Sequence, residues 1–412
     1  MLSWPRPSVP LVPGSGSDRL RLYDSAARRV REVGPATGVA RLYVCGITPY
    51  DATHLGHAFT YLTFDLVVRC WLDLGLEVDY AQNVTDVDDP LLERATATGV
   101  DWRDLAQEQT DLFRADMTAL RVVPPDHYVG VVESVDRIAA TVAALRDRGV
   151  AYQVSDGYAD WYVDRSRVEG FGDESHLGRD EMLEIFAERG GDPQRPGKRD
   201  PLDWLVWRQE REGEPAWDAE VGRGRPGWHV ECTTIATKAL SGTAHVQGGG
   251  SDLIFPHHEM CAAEGRALTG EPFADAYVHV GMVGLDGEKM SKSRGNLVFV
   301  SRLRADGVDP MVVRAALLSH HYRGDWEWTS AELPRAAARL DVWRRALNGS
   351  TAVGAGPVLA SVRAAVRDDL QVERAMAAVD AWAEAALAAP IDDPDARASV
   401  RAVLDSLLGL RL

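Results

Sequence analysis

Three sets of residues in this chain have the types and spacing for chemistry. His54 and His57 stand three apart in HLGH, after an apolar run and at the start of a helical pattern. Lys289 and Lys292 lie in KMSKSRGN, residues 289–296, beside Ser291, Ser293 and Gly295. Cys45, Cys232 and His257 are far apart in sequence, yet each sits beside an apolar or glycine-rich stretch. A helix N-terminus presents unpaired N–H groups and a positive dipole end to phosphate. Two imidazoles there can donate to a phosphate whose charge grows in a transition state, and Gly56 lets a nucleotide approach the backbone. Taken alone, HLGH is also a capped helix with two surface histidines. A lysine loop among small residues can close on departing pyrophosphate; its plain alternative is a solvated turn. Lysine occurs only at 198, 238, 289 and 292, so two of four in one loop favour the phosphate reading.

Cys45 ends ARLYVCGI, Cys232 lies in GWHVEC, and His257 in GGGSDLIFPHHE. These donors suit tetrahedral zinc, and three protein ligands leave one position for substrate. Singly, each is also an ordinary buried residue. Cys70, deep in a helical stretch, reads as core. In NVTDVDDP, Asn83 and Thr85 stand at a strand exit, where α/β folds bind ligands. Asp86, Asp88 and Asp89 have the types for acid/base work and equally for loop caps and salt bridges.

The elements that must position these residues follow from the pattern. ARLYVCGI reads as a buried parallel strand. HLGHAFTYLTFDLVVRCWLDLG is apolar at helical spacing and closed by Gly75, and EVDYAQNV is the next strand. One βαβ unit predicts a doubly wound α/β sheet. The expected organisation is an irregular arm over 1–40, with a short helical piece near DSAARRVREV, and a first core half over 41–111. An inserted unit over 112–225, a second core half with the lysine loop over 226–307, and a helical domain over 308–412 complete it.

The chain carries 45 Lys+Arg against 62 Asp+Glu, a net charge of −17, with 45% hydrophobic and 26% charged residues. That is the composition of an ordinary globular protein, and it lacks the broad basic footprint of a polyanion binder. Four cysteines are too few and scattered for a disulfide framework, which leaves reduced thiols or metal ligands. No apolar run approaches the ~18 residues of a membrane span, and the first residues lack a signal-peptide layout. A cytoplasmic protein is expected.

In order from about residue 41 to 325, YVCGITPYDATHLGHAFTYLTFDLVVR, NVTDVDD, GWHVEC, GGGSDLIFPHHE, KMSKSRGN and DPMVVRAALLSHHYR resemble the blocks of class I cysteinyl-tRNA synthetases. The resemblance implies a Rossmann-type core in which HLGH and KMSKS activate a carboxylate on ATP with magnesium. It also implies zinc on Cys45, Cys232 and His257 that binds the substrate thiolate. Adenylate contacts are implied at Cys45, Gly46, Ile47, Thr48, Thr60, Asn83, Val84, Thr85, Trp228, Gly250, Ser251, Asp252 and Val283. Where the synthetase has a glutamate four residues after the first His of HHE, this chain has Cys261. A thiolate there could ligate too, but its charge would weaken affinity for a substrate thiolate.

Two departures point away from tRNA. The stretch after the helices that follow KMSKS is acidic and Ala-rich, without a basic anticodon-reading region. The insertion carries ERGGDP at 188–193, otherwise a plain polar turn. Both suit a related family, the cysteine:glucosaminyl-inositol ligases of mycothiol biosynthesis, and the arginine-rich composition agrees with the actinobacterial origin that family implies. This resemblance implies L-cysteine, ATP and glucosaminyl-inositol as substrates and a monomer without a tRNA partner. It makes Arg189 and Asp192 candidate contacts to the acceptor. The alternatives are a short cysteinyl-tRNA synthetase and a non-catalytic zinc- or cysteine-binding paralogue.

Overall fold

The computed structural model describes residues 1–14, 18–154, 157–285, 288–289, 297–350, 353–388 and 393–412. Its centre is a five-stranded sheet in the order Tyr277–Val280, Val246–Gly250, Val39–Val44, Glu77–Val84, His127–Gly130. All four pairings are parallel. The chain order therefore reverses between Val39–Val44 and Val246–Gly250, and the crevice at that reversal is where doubly wound sheets bind ligands. Cys45 N donates to Gly248 O at 3.0 Å across it. The inner strands are largely buried, Gln82, Asn83 and Gln247 included, because helices cover both faces of the sheet.

The helix Leu55–Asp73 follows the first strand, and most of its residues are buried. Its C-terminal half docks the helical domain through charge. Asp65 Oδ2 accepts from Arg69 Nε at 2.7 Å and from Arg314, and Asp65 Oδ1 from Val123 N at 2.7 Å. Asp73 holds Arg363 and Arg367 in the same way. No helix among the described residues is long and apolar enough to cross a membrane.

The structure departs from the sequence expectation in three places. DSAARRVREV is not helical: Arg21–Asp24 and Arg29–Glu32 form an antiparallel hairpin, with Arg28 at φ 52° in its turn. Buried Asp24 fixes it by accepting from Ala26 N and Tyr277 N and pairing with Arg31. The range 112–225 also divides the elements differently from the fold. The helix Trp102–Ala119 straddles its start, and His127–Gly130 is an edge strand of the core sheet. The unit inserted beyond the core is an antiparallel sheet of Ala151–Gln153, Trp161–Val163, Trp204–Gln209 and Gly224–Pro226 with the helix Arg179–Glu188. Within 308–412, Trp326–Trp328 forms a strand parallel to Val283–Leu285.

Candidate active site

His54 is the N-cap of the helix Leu55–Asp73, its Nδ1 accepting from Gly56 N at 3.1 Å and His57 N at 3.4 Å. A neutral imidazole that accepts at Nδ1 carries its proton at Nε2, which is then a donor. The two rings stack at 3.8 Å. A Cβ on Gly56 would meet the His54 ring at 2.9 Å, so the cap requires glycine there. The chain leaving the lysine loop is stitched to this point: Leu55 N donates to Val298 O and Val300 N to Thr53 O, both at 3.0 Å. Lys289 is placed by the backbone pairing of Glu288–Lys289 with Val283–Leu285. Lys292 and the rest of KMSKSRGN lie outside the described residues.

At the sheet reversal the structure brings Cys45, Cys232 and His257 together, all buried, with their donor atoms within 4.8 Å of one another. Cys45 leaves the first strand, Cys232 projects from the helix Trp228–Ala239, and His257 follows Val246–Gly250. His257 Nε2 is 3.2 Å from Cys232 Sγ. Burial alone would raise the Cys232 thiol. Hydrogen bonding with Cys261 and Cys45, and the charge of His257, outweigh it and hold Cys232 well below the usual thiol range. Burial, then Cys232, pushes Cys45 well above it. One thiolate is thus favoured in place, and two sulfurs with one imidazole nitrogen are a donor set that fits zinc. Cys261 stands outside the trio. Its thiol donates to His229 O at 3.4 Å, its Sγ is 3.9 Å from His257 Nε2, and burial pushes it well up.

Behind the trio runs a histidine network that sequence reasoning missed. His257 Nδ1 faces His229 Nδ1 at 2.9 Å. Cys45 Sγ lies 3.2 Å from His258 Nε2, His258 Nδ1 2.7 Å from His279 Nε2, and His279 Nδ1 2.8 Å from Ser25 Oγ. Burial holds all three added histidines low, His279 down to about 3. They are neutral, so each ring can donate at one nitrogen and accept at the other. The only signal in sequence was adjacency: His229 and His258 sit inside the GWHVEC and PHHE blocks.

Asn83 is a brace: its Oδ1 accepts from Gly46 N at 2.7 Å and Tyr43 Oη at 3.0 Å, and its Nδ2 donates to Thr85 Oγ1. A Cβ on Gly46 would lie 1.6 Å from Asn83 O, so only glycine allows these strand ends to approach. Thr85 N donates to Ile47 O, while Val84 and Val283 are core. Thr60 Oγ1 bonds back to Gly56 O. Trp228 stacks on His257 at 4.3 Å. Gly250, Ser251 and Asp252 form the exit of the fourth sheet strand.

A cavity of about 1450 Å³ opens beside the trio, between the Asp88–Trp102 segment and the inserted sheet. Thr48, Trp228 and His229 form its inner wall, whereas His54 and His57 do not line it. ERGGDP is on its rim, with both candidate side chains engaged. Arg189 donates to the carbonyls of Asp252 and Phe255. Asp192 accepts from Lys198 Nζ at 3.0 Å and from Tyr162 Oη.

The geometry has counterparts among solved structures. A methionyl-tRNA synthetase of Mycobacterium tuberculosis in complex with methionyl-adenylate superposes with a TM-score of 0.63 over 90% of this chain and 92% of that one, at 16% identity. LeuRS from Agrobacterium radiobacter K84, in a ternary complex, gives 0.64 over 92% and 84%, at 13% identity. Residues 34–338 match the family of class I (C) tRNA synthetase catalytic domains, and the chain has that fold and that domain. Over its full length it is 61% identical to the L-cysteine:1D-myo-inositol 2-amino-2-deoxy-alpha-D-glucopyranoside ligase of Nocardiopsis dassonvillei, covering 100% of both chains. It is 59% identical to the ligase of that name from Thermobifida fusca, covering 100% of this chain and 99% of the other. The chain belongs to this ligase family.

Proposed function

We propose that this protein is an AMP-forming ligase of mycothiol biosynthesis that joins L-cysteine to the 2-amine of glucosaminyl-inositol. ATP with magnesium activates the cysteine carboxylate as an enzyme-bound adenylate. The observation that carries the reading is the buried Cys45, Cys232 and His257 trio, with two candidate spaces for its substrates. One is the phosphate-suited helix start at His54; the other is the cavity walled by Trp228 and His229. In this reading a thiol amino acid held at the trio offers its carboxylate to an ATP side and an acceptor side.

Zinc, when held by the two thiols and His257 Nε2, supplies a soft Lewis acid that selects a thiolate over a hydroxyl, a distinction hydrophobic contact makes poorly. The remaining work falls to the chain. His54 Nε2–H, His57 and the lysines of the 289–292 loop meet the charge that grows on the phosphates as pyrophosphate departs. Asn83 and Gly46 keep the strand ends rigid below the adenylate. Trp228 packs on His257 and closes off water. The amine then attacks the acyl carbon from the cavity and AMP leaves. Arg189 and Asp192 belong to the acceptor side in this reading, which has the protein acting as a cytoplasmic monomer without an RNA partner.

Incubation with cysteine, ATP and glucosaminyl-inositol, read by mass, should give the amide, AMP and pyrophosphate. Charging of tRNA with cysteine, and no amide, would instead favour a short synthetase, the reading suggested by the matched catalytic domain.

A further inference from the structure

Amide formation from an adenylate leaves one proton to place. As the amine nitrogen bonds to the acyl carbon, AMP departs with the electron pair of the broken C–O bond, and the nitrogen must lose a proton to a base. His258 and His279 bond to one another behind the metal trio, and His229, on the cavity wall, turns its Nδ1 to His257. The base is therefore sought among the carboxylates of the cavity.

The arginines nearest the trio there are already spoken for. Arg225 pairs with Asp89 and Glu214, and Arg208 with Glu214 at 3.1 Å. These pairs lock the helix Asp89–Thr98 to the inserted sheet. Asp88 differs. Its Oδ1 caps that helix, accepting from Asp89 N at 2.8 Å, and its side chain lines the cavity. Among the described residues, Asp88 Oδ2 has no hydrogen-bond or ion-pair partner.

We propose that Asp88 is the base of the second step: its open carboxylate oxygen takes the proton from the acceptor amine as the C–N bond forms. The inference rests on the cysteine–amine ligation proposed above. Burial raises the Asp88 carboxyl to about 6; the Asp89 N–H opposes this, the Asp89 charge adds to it, and Arg225 and His257 oppose it. Two further groups face it: Tyr50, and Glu231 on the helix Trp228–Ala239. A base poised near the working pH is the effective kind.

Asn caps a helix as well as Asp, so Asp88→Asn removes the base and keeps the fold. The variant should retain cysteine-dependent ATP–pyrophosphate exchange while ligation to glucosaminyl-inositol slows by ~10²–10⁴-fold, the scale of general-base catalysis. Asp88→Glu keeps a carboxylate at this place and should recover much of the ligation that Asp88→Asn loses. Exchange and ligation falling in step would assign Asp88 to adenylation and overturn the proposal. So would unchanged ligation, or equal losses in Asp88→Asn and Asp88→Glu. If the wild type itself performs exchange but does not ligate the sugar amine, the functional reading fails and this inference with it. Wild-type ligation that Asp88→Asn leaves intact refutes the inference alone.

Discussion

Replacing His229 by Phe should loosen the metal without touching a ligand. The contact at stake is His257 Nδ1 to His229 Nδ1, 2.9 Å, with both rings buried. A neutral imidazole has one N–H, so across this contact one ring donates and the other accepts. Burial, then the charge of His257, holds His229 well below the usual imidazole range, so it does not donate from both nitrogens. A metal on His257 Nε2, the nitrogen facing Cys232 Sγ, forces the His257 proton onto Nδ1 and makes His229 the acceptor. Loss of such a partner behind a ligand typically costs 10–100-fold in metal affinity, which is ~1.4–2.8 kcal/mol. Competition with a chromogenic chelator measures it, with thermal unfolding of the loaded protein as the control for folding. Asn at 229 offers a carbonyl oxygen to the same N–H and should recover most of the affinity. Wild-type affinity in His229→Phe, or equal losses in the Phe and Asn variants, would refute the tautomer argument.

Cys232→Ala removes a donor from a trio of three, and metal analysis of the purified variant should show no retained zinc; full retention would move the site elsewhere. Asp65→Asn leaves Arg69 and Arg314 buried without their shared carboxylate and should cost ~3–5 kcal/mol in denaturant unfolding. Asp65 titrates low because Arg69 and Arg314 outweigh the effect of its burial. Its contribution is therefore present above the unfolded value, near ~4, and is lost as pH falls through the lower folded value. The deficit of the variant should shrink in that acid window and not at pH 7. Lys292→Ala should lower kcat of pyrophosphate exchange by ~10²-fold or more, with little change in KM for cysteine. Arg189→Ala and Asp192→Ala should raise KM for glucosaminyl-inositol and leave pyrophosphate exchange nearly intact; a joint fall of both half-reactions would assign the loop to the fold or the adenylation site.

What was legible in the sequence was local. HLGH could be placed on a helix start because cap, glycine and apolar repeat fall within one turn, and that is where His54 stands. The hairpin at Arg21–Glu32 was hidden because a left-handed turn at Arg28, a non-glycine residue, has no compositional mark. His127–Gly130 is four residues long, too short for periodicity to separate a core strand from a loop. The metal trio is the long-range case. Its members meet only because Val39–Val44 and Val246–Gly250 are sheet neighbours, a pairing that spacing along the chain does not reveal. The resemblance supplied it. His229, His258 and His279 were out of reach for the same reason, since their partners are set by the fold.

The acidic balance of the chain and its lysine loop are reconciled by where the charges go. On the proposed reading, phosphate handling falls to a helix start and one loop, and so needs no basic surface. In the cavity, arginines nearest the trio are neutralised in place: Asp89 and Glu214 take Arg225, and Glu214 takes Arg208. A phosphate backbone is held by cations free to replace its counterions, and these are not free. A polyol needs neutral or paired groups that donate and accept at short range, together with one carboxylate able to receive a proton from its amine. On the proposed reading the lining of this cavity is of that second kind, and the choice of acceptor depends on the same salt bridges that fix the inserted sheet against the core.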